Sequence, residues 1–140
     1  MDATTSVQQA NMELVAQVGP LIRDGFASGG EHLFADDFVF HFFNPKLPEL
    51  AGDHHGYDGL RAFFARLREG SDRDFQNEPR SMTPYGDELV VAYAVNTVRF
   101  EGTALEFDAV VVWRVLGGRI HEAWDIPAIN TVRPHQPEKA

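Results

Sequence analysis

Cysteine is absent from this chain of 140 residues, which excludes disulfides, thiolate metal sites and a cysteine nucleophile. Long apolar runs are absent too, since none approaches the roughly 20 residues that a membrane-spanning helix needs. Met1 to Ser6 offers neither a basic start nor an apolar centre, so it does not read as a secretion signal, and the cytoplasm is the expected location. There is no block of lysine and arginine. With 12 basic against 21 acidic residues the net charge is −9, so neither nucleic acid nor an anionic membrane is expected as a partner. No helical His-x-x-x-His or similarly spaced ligand set exists. The adjacent pair His54-His55 beside Asp53 is poorly placed to converge on one ion, and no metal is expected.

What the chain does have is apolar bulk, 44% of its residues, including 11 phenylalanines. That suits one domain with one core. Residues 1–6 are expected to be disordered, 7–130 to form the domain, and 131–140, with Pro134 and Pro137, to be a flexible tail. Met12, Val15, Val18, Ile22 and Phe26 recur three or four apart and predict an amphipathic helix over Val7 to Phe26, kinked or split by Gly19-Pro20 and ended by Ser28-Gly29-Gly30. A short helical turn follows at Glu31 to Phe34. The aromatic run Phe38 to Phe43 predicts a strand covered on both faces and stopped by Asn44-Pro45. Lys46 to Tyr57 reads as a loop long enough to be functional.

Asp58 then caps a helix whose stripe is Leu60, Phe63, Phe64 and Leu67 and which Gly70 ends. The remainder is β structure: Asp74 to Met82, Glu88 to Phe100, Leu105 to Leu116 and Arg119 to Ile126, joined by turns at Tyr85-Gly86-Asp87, Gly102 and Gly117-Gly118. Helices first and strands after predict an α+β fold with an antiparallel meander.

In the last strand Ile120, Trp124 and Ile126 alternate with other residues, so Asp125 points away from Trp124. If its face lines an apolar hollow, burial raises its pKa and makes it a usable acid or base. If it ends an edge strand in water, it does nothing of the kind.

The run Gly118-Arg119-Ile120-His121-Glu122-Ala123-Trp124-Asp125-Ile126, with Phe34-Ala35-Asp36-Asp37, the Asn44-Pro45 exit and Gly56-Tyr57-Asp58-Gly59-Leu60 at sensible spacing before it, resembles the NTF2-like superfamily and, within it, the SnoaL-like proteins. The resemblance spans about residues 7 to 130. It implies a cone in which about three N-terminal helices pack on a curved antiparallel sheet, with a pocket in the concave face. It also implies a homodimer through the convex face.

Its implied function is a polyketide cyclase-like isomerase, cyclase or lyase that needs no cofactor and takes a small apolar oxygenated ligand, with Asp125 as base. A non-catalytic ligand-binding or dimerisation module is the alternative, and epoxide hydrolase-like water activation a further one. For the last, Asn44 matches the family's water-holding asparagine, but the tyrosine two residues earlier is replaced by Phe42, and the Arg-x-Asp pair falls near Val95 and Thr97. The second aspartate or histidine of related enzymes falls near Val111.

Other polar candidates come from the residues themselves. His41, between Phe40 and Phe42, serves either as a base or as a core histidine, and alternation turns it away from Asn44. Tyr93 shares a face with Val95 and Thr97, while Ala92, Ala94 and Asn96 share the other, and whichever face is concave supplies a hydrogen-bond donor. The candidate catalytic set is therefore Asp125, Asn44, His41 and Tyr93. The candidate pocket wall comprises Phe42, His54, His55, Tyr57, Val95, Val111, Trp113 and Trp124.

Overall fold

The computed structural model describes residues 4–27, 29–70 and 75–135. Helix α1 (Ser6–Ala16) opens on a capping box: the Gln8 backbone N–H donates to Thr5 Oγ1, and the Thr5 backbone N–H donates to Gln8 Oε1, both at 3.0 Å. The ordered chain thus reaches back to Thr5, within the stretch expected to be disordered; residues 1–3 lie outside the described residues. Helix α2 (Val18–Arg23) follows after a break at Gln17. Pro20 explains that break, because it has no N–H to offer the carbonyl four residues back, that of Ala16, and its ring crowds the same group. Val15, Val18, Ile22 and Phe26 all lie in the core, as their spacing predicts. The expected stop begins at Ser28, which lies outside the described residues. A single 3-10 turn (Glu31–Leu33) leads to strand β1 (Phe34–Phe42).

Two expectations need correction. The stretch read as loop contains a strand, β2 (Gly52–His55), which pairs antiparallel with β1. Its residues have no β-branched or alternating pattern, and the strand exists because the free edge of β1 supplies its hydrogen bonds. The sheet, moreover, is mixed rather than antiparallel, because β1 runs parallel to β6 (Arg119–Pro127). Helix α3 (Gly56–Gly70) makes the connection between β2 and the meander. The meander is β3 (Gln76–Tyr85), β4 (Leu89–Phe100), β5 (Thr103–Leu116) and β6. The predicted start of its first strand at Asp74 lies outside the described residues. Spatial order is β2-β1-β6-β5-β4-β3, and a short β7 (Arg133–Pro134) pairs with β5, so part of the expected tail is tied to the sheet.

Gly117 and Gly118, with φ of 58° and 76°, make the tight turn that sets the β5–β6 register. Irregularities between Phe34 and Val39, Pro79 and Ser81, and Arg114 and Val115 bend the sheet. Helices α1, α2 and α3 cover one face, here called inner. Phe38, Phe40, Phe63, Leu60 and Ile120 are essentially fully buried beneath them. Among the described residues no helix is long and apolar enough to cross a membrane.

Candidate active site

Strand pairing decides which side chains share a face, because directly paired residues point the same way. Asp125 pairs with Val111 on β5 and with Phe42 on β1, and Ala123 pairs with Trp113 and Phe40. Phe40, Trp113 and Ala123 are buried at 4% exposure or less, so this is the inner face and Asp125 points into the protein. Although Asp125 as a residue is only half-buried, its Oδ1 is enclosed and has no hydrogen-bond partner. Burial pushes its pKa up from 3.8 to about 7. The carboxyl therefore does not sit wholly in water, although the residue keeps some exposure. Trp113 has a matching defect: its indole Nε1 is buried and also unpaired. Leaving either group without a partner costs about 1–3 kcal/mol, so both are unusual in a settled core.

Two of the hollows among the described residues lie between the helices and the inner face. A narrow cavity of about 130 Å³ lies between α1, α2 and the sheet, lined among others by Val18, Ile22, Met82, Ala92, Val111 and Trp113. A wider one of about 450 Å³ lies under the C-terminal half of α3, lined among others by Leu47, Leu50, Leu67, Val98, Phe107 and Ile129. Asp125 stands beside Val111, at the level of the narrow cavity, and lines neither hollow.

Asn44 is buried just past the end of β1, where its Oδ1 accepts the Lys46 backbone N–H at 3.0 Å. This is an Asx turn, which ends the strand and occupies the oxygen. No hydrogen bond joins Asn44 to Asp125. Asn96 also faces inward, buried, and its Oδ1 accepts from Asn77 Nδ2 at 2.7 Å.

The outer face holds the other two catalytic candidates. His41 pairs with Asp53 and Trp124. Its Nδ1 lies 2.6 Å from Asp53 Oδ1 and its Nε2 2.6 Å from Glu122 Oε2, while the ring stacks on Trp124 with centroids 5.2 Å apart. Burial opposes a charge on the ring, but hydrogen bonds to both carboxylates outweigh it and raise the pKa above the usual 6.5. An imidazole donates from both nitrogens only as the imidazolium, so the two carboxylates favour the charged form of His41. The chain of contacts continues from Glu122 to Arg114 Nε at 3.1 Å, then from Arg114 Nη1 to Glu88, and Arg114 also lies over the Trp124 ring.

Tyr93 donates to Asp108 Oδ1 at 2.7 Å, and Arg133 grips the same carboxylate at 3.1 and 3.2 Å. The bond to Asp108 raises the Tyr93 pKa, which makes it a poorer acid. Neither His41 nor Tyr93 shares a face with Asp125, so the expected four-residue set is not one constellation.

The wall residues divide in the same way. Phe42, Val111 and Trp113 face inward, whereas Val95 and Trp124 sit on the outer face. His54 packs against Phe40 and Phe63, with Nε2 2.7 Å from the Leu50 carbonyl. Gly59 lets it lie that close to α3, because a Cβ there would come within 3.1 Å of the His54 backbone. His55 is exposed. Tyr57 donates to the Gly29 carbonyl at 2.6 Å and stacks edge-on against Phe26, anchoring the segment after α2. Among the described residues no three histidine, aspartate or glutamate side chains are grouped to hold a metal ion.

Sequence reasoning missed two features. The partners of His41 were hidden because Asp53 lies on the unexpected strand and Glu122 is 81 residues away across a parallel pairing. The unpaired indole of Trp113 has no signal in the local sequence, and the pairing of Trp113 with Ala123 shows only which face it occupies.

A mixed, bulged sheet with helices packed on one face is the fold this chain shares with NTF2-like proteins. The chain belongs to the SnoaL-like domain family, whose model matches residues 22–123. Solved structures agree on the fold. TerC, co-crystallised with polyporic acid, is 21% identical at a TM-score of 0.75, covering 86% of this chain and 93% of its own. An NTF2-like protein from Burkholderia pseudomallei K96243 is 22% identical at 0.75, covering 86% and 92%. SalBIII, an epoxide hydrolase/cyclase-like enzyme with a role in pyran ring formation in the polyether salinomycin, is 14% identical at 0.72, covering 91% and 97%. No curated protein sequence matches the chain.

Proposed function

We propose that the protein is an enzyme of isomerase, cyclase or lyase type, with Asp125 as its general acid/base and a small apolar oxygenated molecule as its substrate. One observation carries this reading: a carboxyl group enclosed on the inner face, with an unpaired oxygen and a pKa of about 7. Such a group exchanges a proton with a carbon acid near neutral pH, where an ordinary aspartate is too weak a base.

The ligand would occupy the inner side of the sheet, where an apolar hollow lies under α3. That hollow suits a mostly hydrocarbon molecule. The likeness to TerC, which was co-crystallised with polyporic acid, and to SalBIII, which is epoxide hydrolase/cyclase-like, supports a small organic ligand.

Asn44 would contribute through its amide nitrogen only. Val95 and Thr97 face outward, and the inward residues of that strand, Ala94, Asn96 and Val98, include no acid to open an epoxide, so water activation of that kind is the weakest reading.

A binding module without chemistry is favoured by one feature, the lack of any second titratable group hydrogen-bonded to Asp125 among the described residues. The test is α-proton exchange. Cyclohexanone in D2O at pH 7.5 should gain deuterium faster with the wild-type protein than with Asp125→Asn. Equal rates at saturating protein would leave binding as the function.

A further inference from the structure

The hollow under α3 has walls of two kinds. On its deep side Leu50, Val98 and Phe107 are buried, and Leu67 and Ile129 continue the hydrocarbon outward. Its charged residues, Lys46, Glu49 and Arg66, are all exposed, so the charge gathers at the mouth. Among the described residues neither Lys46 nor Arg66 enters an ion pair, although the chain carries 21 acidic residues against 12 basic. Two cations and one acid leave the mouth a positive charge in excess. The polar hollow beside Tyr57 has no such excess, because it sets Glu31 and Asp36 against Arg61 and Arg119. The mouth under α3 also stands on tied backbone. Lys46 follows the Asx turn of Asn44, and the next turn closes where the Leu50 N–H donates to the Leu47 carbonyl at 3.1 Å. On the far side, the segment carrying Ile129 and Val132 is pinned at both ends: the Ala128 N–H donates to the Asp108 carbonyl at 2.7 Å and the His135 N–H to the Ala104 carbonyl at 3.0 Å.

We infer that this hollow binds an apolar carboxylic acid in its anionic form, with the hydrocarbon inward and the carboxylate at the mouth on Lys46 and Arg66. The inference rests on the reading that the ligand lies in the hollow under α3, and not on the acid/base role of Asp125, which lines no part of it. Its volume of about 450 Å³ falls within the range of small-molecule sites. Burial of hydrocarbon supplies most of the affinity, about fourfold per methylene. The cations supply the choice of head group: a guanidinium matches the two oxygens of a carboxylate, and an ammonium adds a point charge. Glu49 opposes a second negative charge, so a singly charged carboxylate suits the mouth better than a phosphate dianion. A neutral alcohol of the same length keeps the hydrocarbon contribution and loses that of the head.

Octanoate and octanol, titrated near neutral pH into the full-length protein and followed by backbone amide NMR signals, should both move those of Leu50, Val98 and Phe107. At low salt octanoate should bind roughly tenfold tighter than octanol, the scale that two partly exposed ion pairs supply. That margin should shrink as salt is added. Lengthening octanoate to decanoate should tighten binding about 15-fold, through two more buried methylenes. Lys46→Met combined with Arg66→Met should bring octanoate down to the affinity of octanol while leaving octanol binding unchanged, which also shows that the variant folds. Glu49→Gln should tighten octanoate and not octanol. If the wild-type protein binds octanol as tightly as octanoate, or the double variant keeps the preference, the inference is overturned and the hollow remains a ligand site. If neither compound binds, or both move only outer-face residues such as Val112 and Ile126, the inference falls together with the placement of the ligand under α3. Deuterium exchange into cyclohexanone is read separately and decides the role of Asp125 by itself.

Discussion

Asp125 is held against its ionisation by hydrocarbon, and this leaves a mark on stability as well as on reactivity. In the unfolded chain its carboxyl loses a proton near 3.8, and in the folded chain near 7. Between those values the folded state holds the extra proton, so stability falls as pH rises through the window and the full penalty is present above it. The gap corresponds to roughly 4 kcal/mol as an upper bound. Asp125→Asn keeps the shape of the protonated acid and removes the penalty. The variant should match wild type in urea at pH 4 and exceed it by up to that bound at pH 8. Its exchange activity should drop by about 10² or more. The sequence announces the residue and its face, because alternation with Trp124 is plain. It does not announce the environment, since whether that face is wet depends on α1, α2 and the register with Val111.

At the scale of elements, the clamp around His41 joins three strands: β1 by His41, β2 by Asp53 and β6 by Glu122. Its folded pKa is raised above 6.5, so the stability it contributes is fully present below that value and is lost as pH rises through the raised one. His41→Phe should therefore be less stable than wild type at pH 6, with the gap narrowing as the medium becomes alkaline. Urea midpoints at a series of pH values read this directly, and a gap independent of pH would contradict it. Elements with a strong period were legible from sequence: the core face of α1 and α2, the stripe of α3, and the long strands of the meander. Strand β2 and the parallel β1–β6 pairing were not, because neither has a local signal. The first depends on an available sheet edge and the second on a contact between distant segments.

For the molecule as a whole, the two faces of the sheet differ in what covers them. Helices and core cover the inner face, while the outer face presents Val91, Val110, Val112 and Trp124 half-buried and Ile126 at 59% exposure, between the His41 and Tyr93 ion networks. An apolar patch rimmed by charges suits a second copy of the chain. Sedimentation at micromolar concentration should show a dimer, and Val112→Glu, which puts a charge at the centre of the patch, should give a monomer. A monomeric wild type would contradict the proposed assembly without touching the inner site. His41 and Tyr93, candidates for chemistry by residue type, belong to this outer surface.

The most direct test of the whole account is the carboxyl titration of Asp125 by NMR, with Asp125→Asn to assign the signal. A midpoint near 7 is expected. A midpoint at 3.8 or below would mean a solvated or paired carboxylate, and the acid/base role would fall.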